Sequence, residues 1–262
     1  MKYIIYTVGV LFIIITISGG VMITKRLSEA KPQTYYEITE EKNDSTIEIG
    51  IIGDSWASQA LQYNLDEYID SSLYSHHIKS KTYIKGEPGA KTKAIYLNMF
   101  SEDSLFSTKP IIKKRPQYCI VFGGINDLHG QYGDKYYMHH VLLIMQTLLY
   151  YKIKPVIIEI PFFYNQEQYK LYPYTRQIGY RILSLLTSSD IYESPLLLYR
   201  NAIEKSILSN KLTDKVIYLS TDSILKNNKN LYTDNMHINQ QGYYQLGKII
   251  TQQIFNDIKS NK

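Results

Sequence analysis

The sequence predicts a three-layer α/β/α domain built around a central, mostly parallel sheet of five strands. Short apolar runs suited to buried strands alternate along the chain with segments whose apolar residues recur at helical spacing. At 262 residues and 44% hydrophobic positions, the chain is also long and apolar enough to bury one substantial core. We therefore expect a single domain whose sheet is covered by helices on both faces.

Five short segments, most of them rich in β-branched and other apolar residues, are the predicted strands. In chain order they are Thr46 to Ile52, Lys81 to Lys85, Gln117 to Phe122, Lys154 to Ile160 and Lys215 to Leu219. Apolar residues at helical spacing predict one helix between the third and fourth strands, from Val141 to Leu149. The same spacing predicts another from Leu246 to Ile258, after the fifth strand.

An uncharged, strongly apolar segment lies at the start of the chain. It runs from Tyr3 to Ile23 and has basic residues on both sides. A helix rises ~1.5 Å per residue, so a segment of this length covers the ~30 Å core of a bilayer. We therefore expect residues 1–24 to be a transmembrane anchor.

That anchor sets the expected location of the rest of the chain. Residues 25–45 are polar and charged and predict a tether, and residues 46–262 predict the folded domain. The domain would then lie outside the cytoplasm, in a periplasm or in the extracellular space. Ser18 and Gly20 form a small-x-small pattern that a signal peptidase could accept, so secretion after cleavage is the alternative.

Composition excludes several classes of function. The formal charge of +5 is small and dispersed, which argues against a nucleic-acid partner. The single cysteine, Cys119, excludes an intramolecular disulfide framework and a multi-thiolate metal site. The histidine pairs His76-His77 and His139-His140 are adjacent in sequence, so their side chains diverge, which is poor geometry for holding one metal together.

Three polar clusters contain the residue types used in acyl transfer. Gly53-Asp54-Ser55 follows the first strand, and Gly123 to Asp127 follows the third, where strand ends form ligand sites in open parallel sheets. Near the C-terminus, Asp234 precedes His237 by three residues, a spacing that lets the carboxylate fix the imidazole tautomer. Each cluster alone is also consistent with a helix cap, an ordinary turn or a solvated loop histidine.

Taken together and in this order, the clusters resemble the SGNH hydrolase superfamily, also called the GDSL esterases and lipases. The resemblance runs from about Ile47 to the C-terminal helix and rests on the blocks Gly-Asp-Ser, Gly-x-Asn-Asp and Asp-x-x-His-x-Asn-x-x-Gly. It implies a flavodoxin-like α/β/α fold and a serine esterase that needs no metal and no cofactor. Trp56 stands where many members have leucine, so the resemblance says little about lipid substrates.

The resemblance assigns the catalytic roles residue by residue. Ser55 is the expected nucleophile, His237 its general base and later acid, and Asp234 the carboxylate that orients His237. Such a triad attacks an ester carbonyl and passes through a covalent acyl-serine.

The resemblance also assigns three donors to an oxyanion hole. They are the backbone N–H of Ser55, the backbone N–H of Gly89 and the side-chain amide of Asn126. Gly89 is chosen over Gly86 because it precedes the small-x-Thr pattern usual in that block. Asp127 is expected to be structural and to hold the loop that presents Asn126.

Residues near these clusters are candidates for substrate binding. They are Trp56, His129 and Tyr164, with Tyr169, Tyr172 and Tyr174 close behind Tyr164. Aromatic side chains there would suit a sugar ring, although the chain has 26 tyrosines, and core packing or a lid are equally consistent with them.

The leading functional hypothesis is removal of O-acetyl or other short acyl groups from an extracytoplasmic carbohydrate. One alternative is an O-acetyltransferase that uses the same triad to modify a cell-envelope polysaccharide. A second is a catalytically weak glycan-binding or assembly protein with the same fold. The complete set of Ser55, Asn126, Asp234 and His237 argues against the second.

Overall fold

The computed structural model describes residues 28–39, 46–102, 104–130, 132–163 and 194–260, together with residues 170, 173–175, 177–178 and 181. The predicted membrane segment, residues 1–24, lies outside these ranges. Within them, no helix has the length and apolar character needed to cross a bilayer. The domain described below is the compact unit Pro32–Lys262.

A five-stranded sheet forms the centre of the domain, in the order β2-β1-β3-β4-β5 with all neighbours parallel. The strands are β1 (Ile47–Gly53), β2 (Ser80–Gly86), β3 (Tyr118–Phe122), β4 (Lys154–Ile158) and β5 (Ile217–Leu219). These match the five predicted strands, and their side chains are largely buried in β1, β3 and β4. The predicted parallel sheet is confirmed.

Helices cover both faces of the sheet and complete the three layers. They are α1 (Ser55–Gln62), α2 (Leu65–Ser75), α3 (Thr92–Asn98), α4 (Lys109–Lys113), α5 (Ile125–His129), α6 (Asp134–Tyr150), α7 (Ser194–Ser209), α8 (Asp222–Leu225) and α9 (Gln240–Ser260), with a 3₁₀ turn at Lys229–Leu231. On one face α1 and α2 pack on β2, and α9 packs on α2. On the other, α6 packs on β4 and contacts α3 and α7.

The strand order reverses between β1 and β3, which places the ligand crevice of a doubly wound sheet between their carboxyl ends. Gly53 ends β1 at this point. A Cβ atom there would lie 2.1 Å from the carbonyl oxygen of Phe122 at the end of β3, so only glycine allows the two strands to approach this closely. The next residues on both strands therefore enter the same crevice.

Two tyrosines of the predicted tether, Tyr35 and Tyr36, pack on the rest of the domain. Tyr36 accepts a hydrogen bond at its backbone oxygen from the hydroxyl of Tyr151 (3.1 Å) and donates its backbone N–H to the same hydroxyl (2.9 Å). Its own hydroxyl donates to the backbone oxygen of Met99 (3.1 Å). The ring of Tyr35 stacks on Tyr150 with 3.8 Å between centroids. The sequence predicted a polar spacer at these positions. Tyr35 and Tyr36 pack instead, because they contact Tyr150, Tyr151 and Met99, which are far away in sequence.

Candidate active site

Ser55 lies at the turn between β1 and α1, at the carboxyl end of the sheet. The preceding residue, Asp54, is the N-cap of α1, and its Oδ1 accepts the backbone N–H of Trp56 at 3.0 Å. This cap satisfies one of the free N–H groups of the first helical turn. It also fixes the turn that presents the half-buried Ser55 to the crevice.

Ser55, His237 and Asp234 form one hydrogen-bonded chain. Ser55 Oγ lies 3.0 Å from His237 Nε2, and His237 Nδ1 lies 2.8 Å from Asp234 Oδ2. Because a carboxylate only accepts hydrogen bonds, Nδ1 carries the proton and Nε2 is free to accept the proton of the serine hydroxyl. The structure thus brings together three residues that are up to 182 positions apart in the sequence.

The Asp234 carboxylate is held in place by the backbone as well as by the imidazole. Its Oδ1 accepts the backbone N–H groups of Met236 and His237, both at 2.7 Å. Partial burial by itself raises the pKa of Asp234, but the hydrogen bonds from the side chain and backbone of His237 and from Met236 outweigh it and lower the pKa. Asp234 is therefore ionised and positioned to orient the imidazole.

The loop that carries Asp234 and His237 is a closed turn. The backbone N–H of Thr233 donates to the carbonyl oxygen of His237 (2.8 Å), and that of Asn239 donates to the carbonyl oxygen of Leu231 (2.8 Å). The Asn239 Oδ1 then accepts the backbone N–H of Gly242 at the start of α9 (3.0 Å). These bonds explain how an exposed loop holds an imidazole in register with a distant serine.

Asn126 lies at the carboxyl end of β3, in the first turn of α5. Its Nδ2 donates to the backbone oxygen of Ala90 at 3.0 Å and lies 3.4 Å from Asp54 Oδ2. The side-chain amide is thus aimed between the segment after β2 and the turn that carries Ser55. This is the position from which it could donate to an oxygen bound beside Ser55.

Gly89 occupies the turn between β2 and α3, next to the Ala90 carbonyl that Asn126 contacts. Its φ of +77° is a left-handed conformation that favours glycine, and its backbone N–H has no acceptor among the described residues. Gly86 has a different role, since a Cβ there would lie 2.3 Å from the backbone nitrogen of Ser58 in α1. Close packing therefore explains Gly86, which supports the choice of Gly89 as the donor.

Asp127 clamps the two segments that carry Gly89 and Asn126. It is fully buried, and its two carboxylate oxygens accept the backbone N–H and the hydroxyl of Thr92, at 2.9 and 2.8 Å. Burial raises the pKa of Asp127 to about 6, although the bonds from Thr92 partly offset this. The side chain binds the first residue of α3, which fits the structural role expected of it.

Asp54 places a second buried carboxyl group directly behind the site. It is 1% exposed, and burial raises the pKa of its side chain to about 7, against the lowering effect of the Trp56 N–H bond. Asp54 contacts both the backbone of α1 and the amide of Asn126. The sequence offered only a capping role for it, and its contact with Asn126 depends on the pairing of β1 with β3.

The structure corrects the expectation for Trp56. This side chain is 2% exposed, and its ring packs near Phe122 and Tyr243, 6.4 and 6.3 Å between centroids. The second residue of α1 faces the sheet, so Trp56 belongs to the core and does not line an open substrate site. The Tyr243 hydroxyl donates to the Trp56 backbone oxygen (2.7 Å), which ties α9 to α1.

The structure describes only some of the other residues predicted to bind substrate. His129 ends α5 and is half-buried, three residues after Asn126. Tyr174 is 73% exposed, so its side chain is accessible to a ligand and is not part of the core. Tyr164, Tyr169 and Tyr172 lie outside the described residues. Among the described residues, no group of three His, Cys, Asp or Glu side chains could hold a metal ion.

A buried ion cluster at the carboxyl end of β4 was not anticipated. Arg200, on α7, donates its Nε and Nη2 to the backbone oxygen of Ile160 (2.9 and 2.7 Å). It also pairs with Asp222 (2.9 Å) and Glu159 (3.4 Å). The one signal in the sequence was an acidic residue, Glu159, inside an otherwise apolar strand run. The cluster fixes the segment that leaves β4 beside the crevice.

Comparison with protein-family models found no match, and comparison of the sequence with curated proteins found none either. Solved structures do match. An acetyl xylan esterase is 17% identical, with a TM-score of 0.58 over 79% of this chain and 100% of that one. A GDSL-like lipase from Bacteroides thetaiotaomicron is 16% identical, with a TM-score of 0.56 over 80% of this chain and 88% of that one.

A third match is an esterase from a Pseudoalteromonas species, in a structure inhibited by monoethylphosphonate. It is 10% identical, with a TM-score of 0.55 over 82% of this chain and 97% of that one. At these identities the likeness concerns the fold, and it extends over nearly the whole of each compared chain. This chain therefore shares the fold of these esterase and lipase structures.

Proposed function

We propose that this chain is a serine carboxylic ester hydrolase of the SGNH type. The observation that carries the proposal is the hydrogen-bonded chain from Ser55 Oγ to His237 Nε2 (3.0 Å) and from His237 Nδ1 to Asp234 Oδ2 (2.8 Å). It lies at the switch point of the sheet, where this fold class binds ligands. The likeness to three solved esterase and lipase structures supports the same reaction class.

In the proposed acylation step, Ser55 Oγ attacks the carbonyl carbon of the ester while His237 Nε2 takes the hydroxyl proton. Asp234 keeps the imidazole in the required tautomer and stabilises the imidazolium that forms. His237 then gives this proton to the leaving alcohol, and the acyl group stays on Ser55. In the second step His237 removes a proton from water, which attacks the acyl-serine and releases the acid and the free enzyme.

The tetrahedral intermediate carries a negative oxygen, for which three donors are proposed. They are the N–H of Ser55, the N–H of Gly89 and the Nδ2 of Asn126. The contact between Asn126 and the Ala90 carbonyl places the amide next to the Gly89 turn. Each donor to such an oxygen typically contributes ~10²–10³ in rate. For Asn126, the N–H directed at Asp54 Oδ2 (3.4 Å) would turn to the bound oxygen.

The proposed substrate is an O-acetylated or otherwise short-acylated carbohydrate outside the cytoplasm. Two observations support it: the apolar segment of residues 1–24, typical of an exported chain, and the likeness of the fold to an acetyl xylan esterase. On this proposal the segment anchors the domain at a membrane, and cleavage after it would release the same enzyme.

Hydrolysis of p-nitrophenyl esters by the full chain tests the proposed function. We expect turnover of the acetate ester to exceed that of the butyrate and octanoate, and Ser55→Ala to abolish all three activities. Release of acetate from acetylated xylan and from acetylated peptidoglycan, measured in parallel, tests the carbohydrate preference. Acetylation of an added sugar acceptor faster than acetate release would instead assign a transferase, and no turnover of any ester would contradict the proposal.

A further inference from the structure

A groove beside the His237 loop has a lining of neutral polar side chains. It lies between α8, the 3₁₀ turn and the start of α9, and its volume is about 450 Å³. Small-molecule sites typically have volumes of ~300–1,000 Å³. The polar side chains of this amide groove are Ser223, Asn228, Asn230, Gln241 and Gln245.

These five side chains have hydrogen-bonding capacity that the domain leaves unused. Across the described ranges, none of the five has a protein donor or acceptor for its side-chain polar atoms. Asn239 shows the contrast, since its Nδ2 donates to the backbone oxygen of Asn230 (2.7 Å) and its Oδ1 accepts from Gly242 (3.0 Å). Each amide presents two donors and one acceptor, which is the combination that sugar hydroxyl groups need.

The rest of the lining also suits an uncharged ligand. Ile224 and Leu231 add apolar surface, and no charged side chain lines the groove, although the chain has 29 basic and 24 acidic residues. A polyanion would require Lys or Arg side chains pointing into its site. Neutral amides beside a small apolar surface match a neutral sugar, which has hydroxyl groups at its rim and C–H groups on its face.

The groove is joined directly to the proposed catalytic loop. Leu231 in its wall accepts the backbone N–H of Asn239 (2.8 Å), and the turn so closed carries His237. Gln241 follows His237 by four residues along the chain and is the second residue of α9. A chain of sugar units lying in the groove would therefore run alongside the loop whose imidazole meets Ser55.

We propose that the amide groove binds a neutral glycan chain, holding units that neighbour the acylated one. This inference rests on the proposed esterase function and adds where the carbohydrate is bound. It assigns Asn228 and Gln245 as binding residues, together with the other side chains of the groove.

Calorimetric titration of the full chain with neutral hexasaccharides tests the inference. The probes are xylohexaose and chitohexaose, and Ser55→Ala is used throughout so that no chemistry accompanies binding. We expect the double variant Asn228→Ala/Gln245→Ala to raise the Kd about tenfold, as loss of two modest hydrogen-bonding sites would. Gln253→Ala is the matched control, because Gln253 is an exposed amide on the same helix outside the groove.

The result that overturns the inference is the absence of binding of both hexasaccharides, or binding by the double variant as tight as by Gln253→Ala. Tighter binding of an oligogalacturonate than of the neutral probes would also overturn it. Hydrolysis of p-nitrophenyl acetate by the chain with Ser55 intact separates the two proposals. Ester hydrolysis without hexasaccharide binding removes only the groove, whereas binding without ester hydrolysis supports the groove and removes only the esterase.

Discussion

At the scale of single residues, Asp234 has the most direct influence on the proposed chemistry. Asp234→Asn preserves the size of the side chain but removes the charge that stabilises the imidazolium and fixes the tautomer. We expect kcat for p-nitrophenyl acetate to fall about 10³- to 10⁴-fold. Asp214→Asn, which changes an exposed carboxylate in the turn before β5, is the control. Activity of Asp234→Asn within tenfold of the control would show that His237 needs no orienting charge.

Substitution of Asn126 is expected to lower the catalytic rate by a smaller factor than substitution of Asp234. Asn126→Ala removes one oxyanion donor and leaves the triad in place. We expect kcat to fall about 10²- to 10³-fold with little change in KM, because the lost bond strengthens only in the transition state. Steady-state kinetics with p-nitrophenyl acetate measure both quantities. A change confined to KM would instead make Asn126 a residue for ground-state binding.

The raised pKa of Asp54 makes the stability of the folded chain depend on pH. Its pKa is about 7 in the folded chain against an ordinary value of 3.8, because burial disfavours the ionised form. Unfolding between these values releases a proton, so the stability linked to Asp54 is present below pH ~4 and is lost as the pH rises to ~7. A difference of about three between the two pKa values corresponds to at most 4 kcal/mol or so of stability.

The variant Asp54→Asn has no carboxyl group at this position, so its stability does not depend on the titration of that group. We therefore expect the free energy of unfolding of the wild type, relative to that of Asp54→Asn, to decrease as the pH rises from about 4 to 8. Urea unfolding across this range measures it, with Asp214→Asn as a control whose difference from the wild type stays nearly constant. A constant difference for Asp54→Asn as well would contradict the raised pKa.

At the scale of elements, the ion cluster of Arg200 holds α7 to the end of β4. Arg200→Met keeps much of the side-chain volume but leaves Glu159 buried without its cation. Breaking a buried pair in this way costs about 3–5 kcal/mol. Denaturant unfolding should show that loss, and Arg200→Met/Glu159→Gln should recover part of it. Equal stability of Arg200→Met and the wild type would mean that the cluster contributes nothing net.

The strands and the contact between Asp234 and His237 could be predicted from the sequence, whereas other features could not. Strands β1, β3 and β4 are mostly apolar, with Glu48 and Lys154 near the starts of β1 and β4, so burial on both faces of the sheet can be seen in local composition. Asp234 and His237 are close in sequence, and their spacing indicates their contact. Trp56 was misplaced because the face that a helix buries depends on the sheet beneath it.

Side-chain contacts between residues far apart in the sequence could not be predicted. The contacts of Arg200 with Glu159 and of Asn126 with Asp54 span 41 and 72 residues (200 − 159 and 126 − 54). They exist only after the strand order has been set. The groove beside the His237 loop is of the same kind, because its lining comes from two helices and the turn between them.

At the scale of the whole molecule, residues 33–36 form part of the folded domain although they precede β1 in the sequence. Tyr36 exchanges two hydrogen bonds with Tyr151 and a third with Met99. We expect Tyr36→Ala to lower the free energy of unfolding by about 2 kcal/mol, since a partly buried aromatic side chain and a hydroxyl bond are lost. Thermal unfolding of the full chain measures the change.

Tyr74→Ala is the matched control for that substitution. Tyr74 is 72% exposed, and exposed positions usually change stability by less than about 0.5 kcal/mol. Similar melting temperatures for Tyr36→Ala and Tyr74→Ala would show that residues 33–36 behave as the free tether that their polar neighbours predict.

The central claim is that Ser55 forms a covalent acyl-enzyme. Treatment of the full chain with a fluorophosphonate ester, followed by intact-mass and peptide mass spectrometry, tests it most directly. We expect one adduct, on Ser55, that forms with loss of p-nitrophenyl acetate hydrolysis, and neither adduct nor hydrolysis in Ser55→Ala. An adduct on another residue, or hydrolysis that survives in Ser55→Ala, would contradict it.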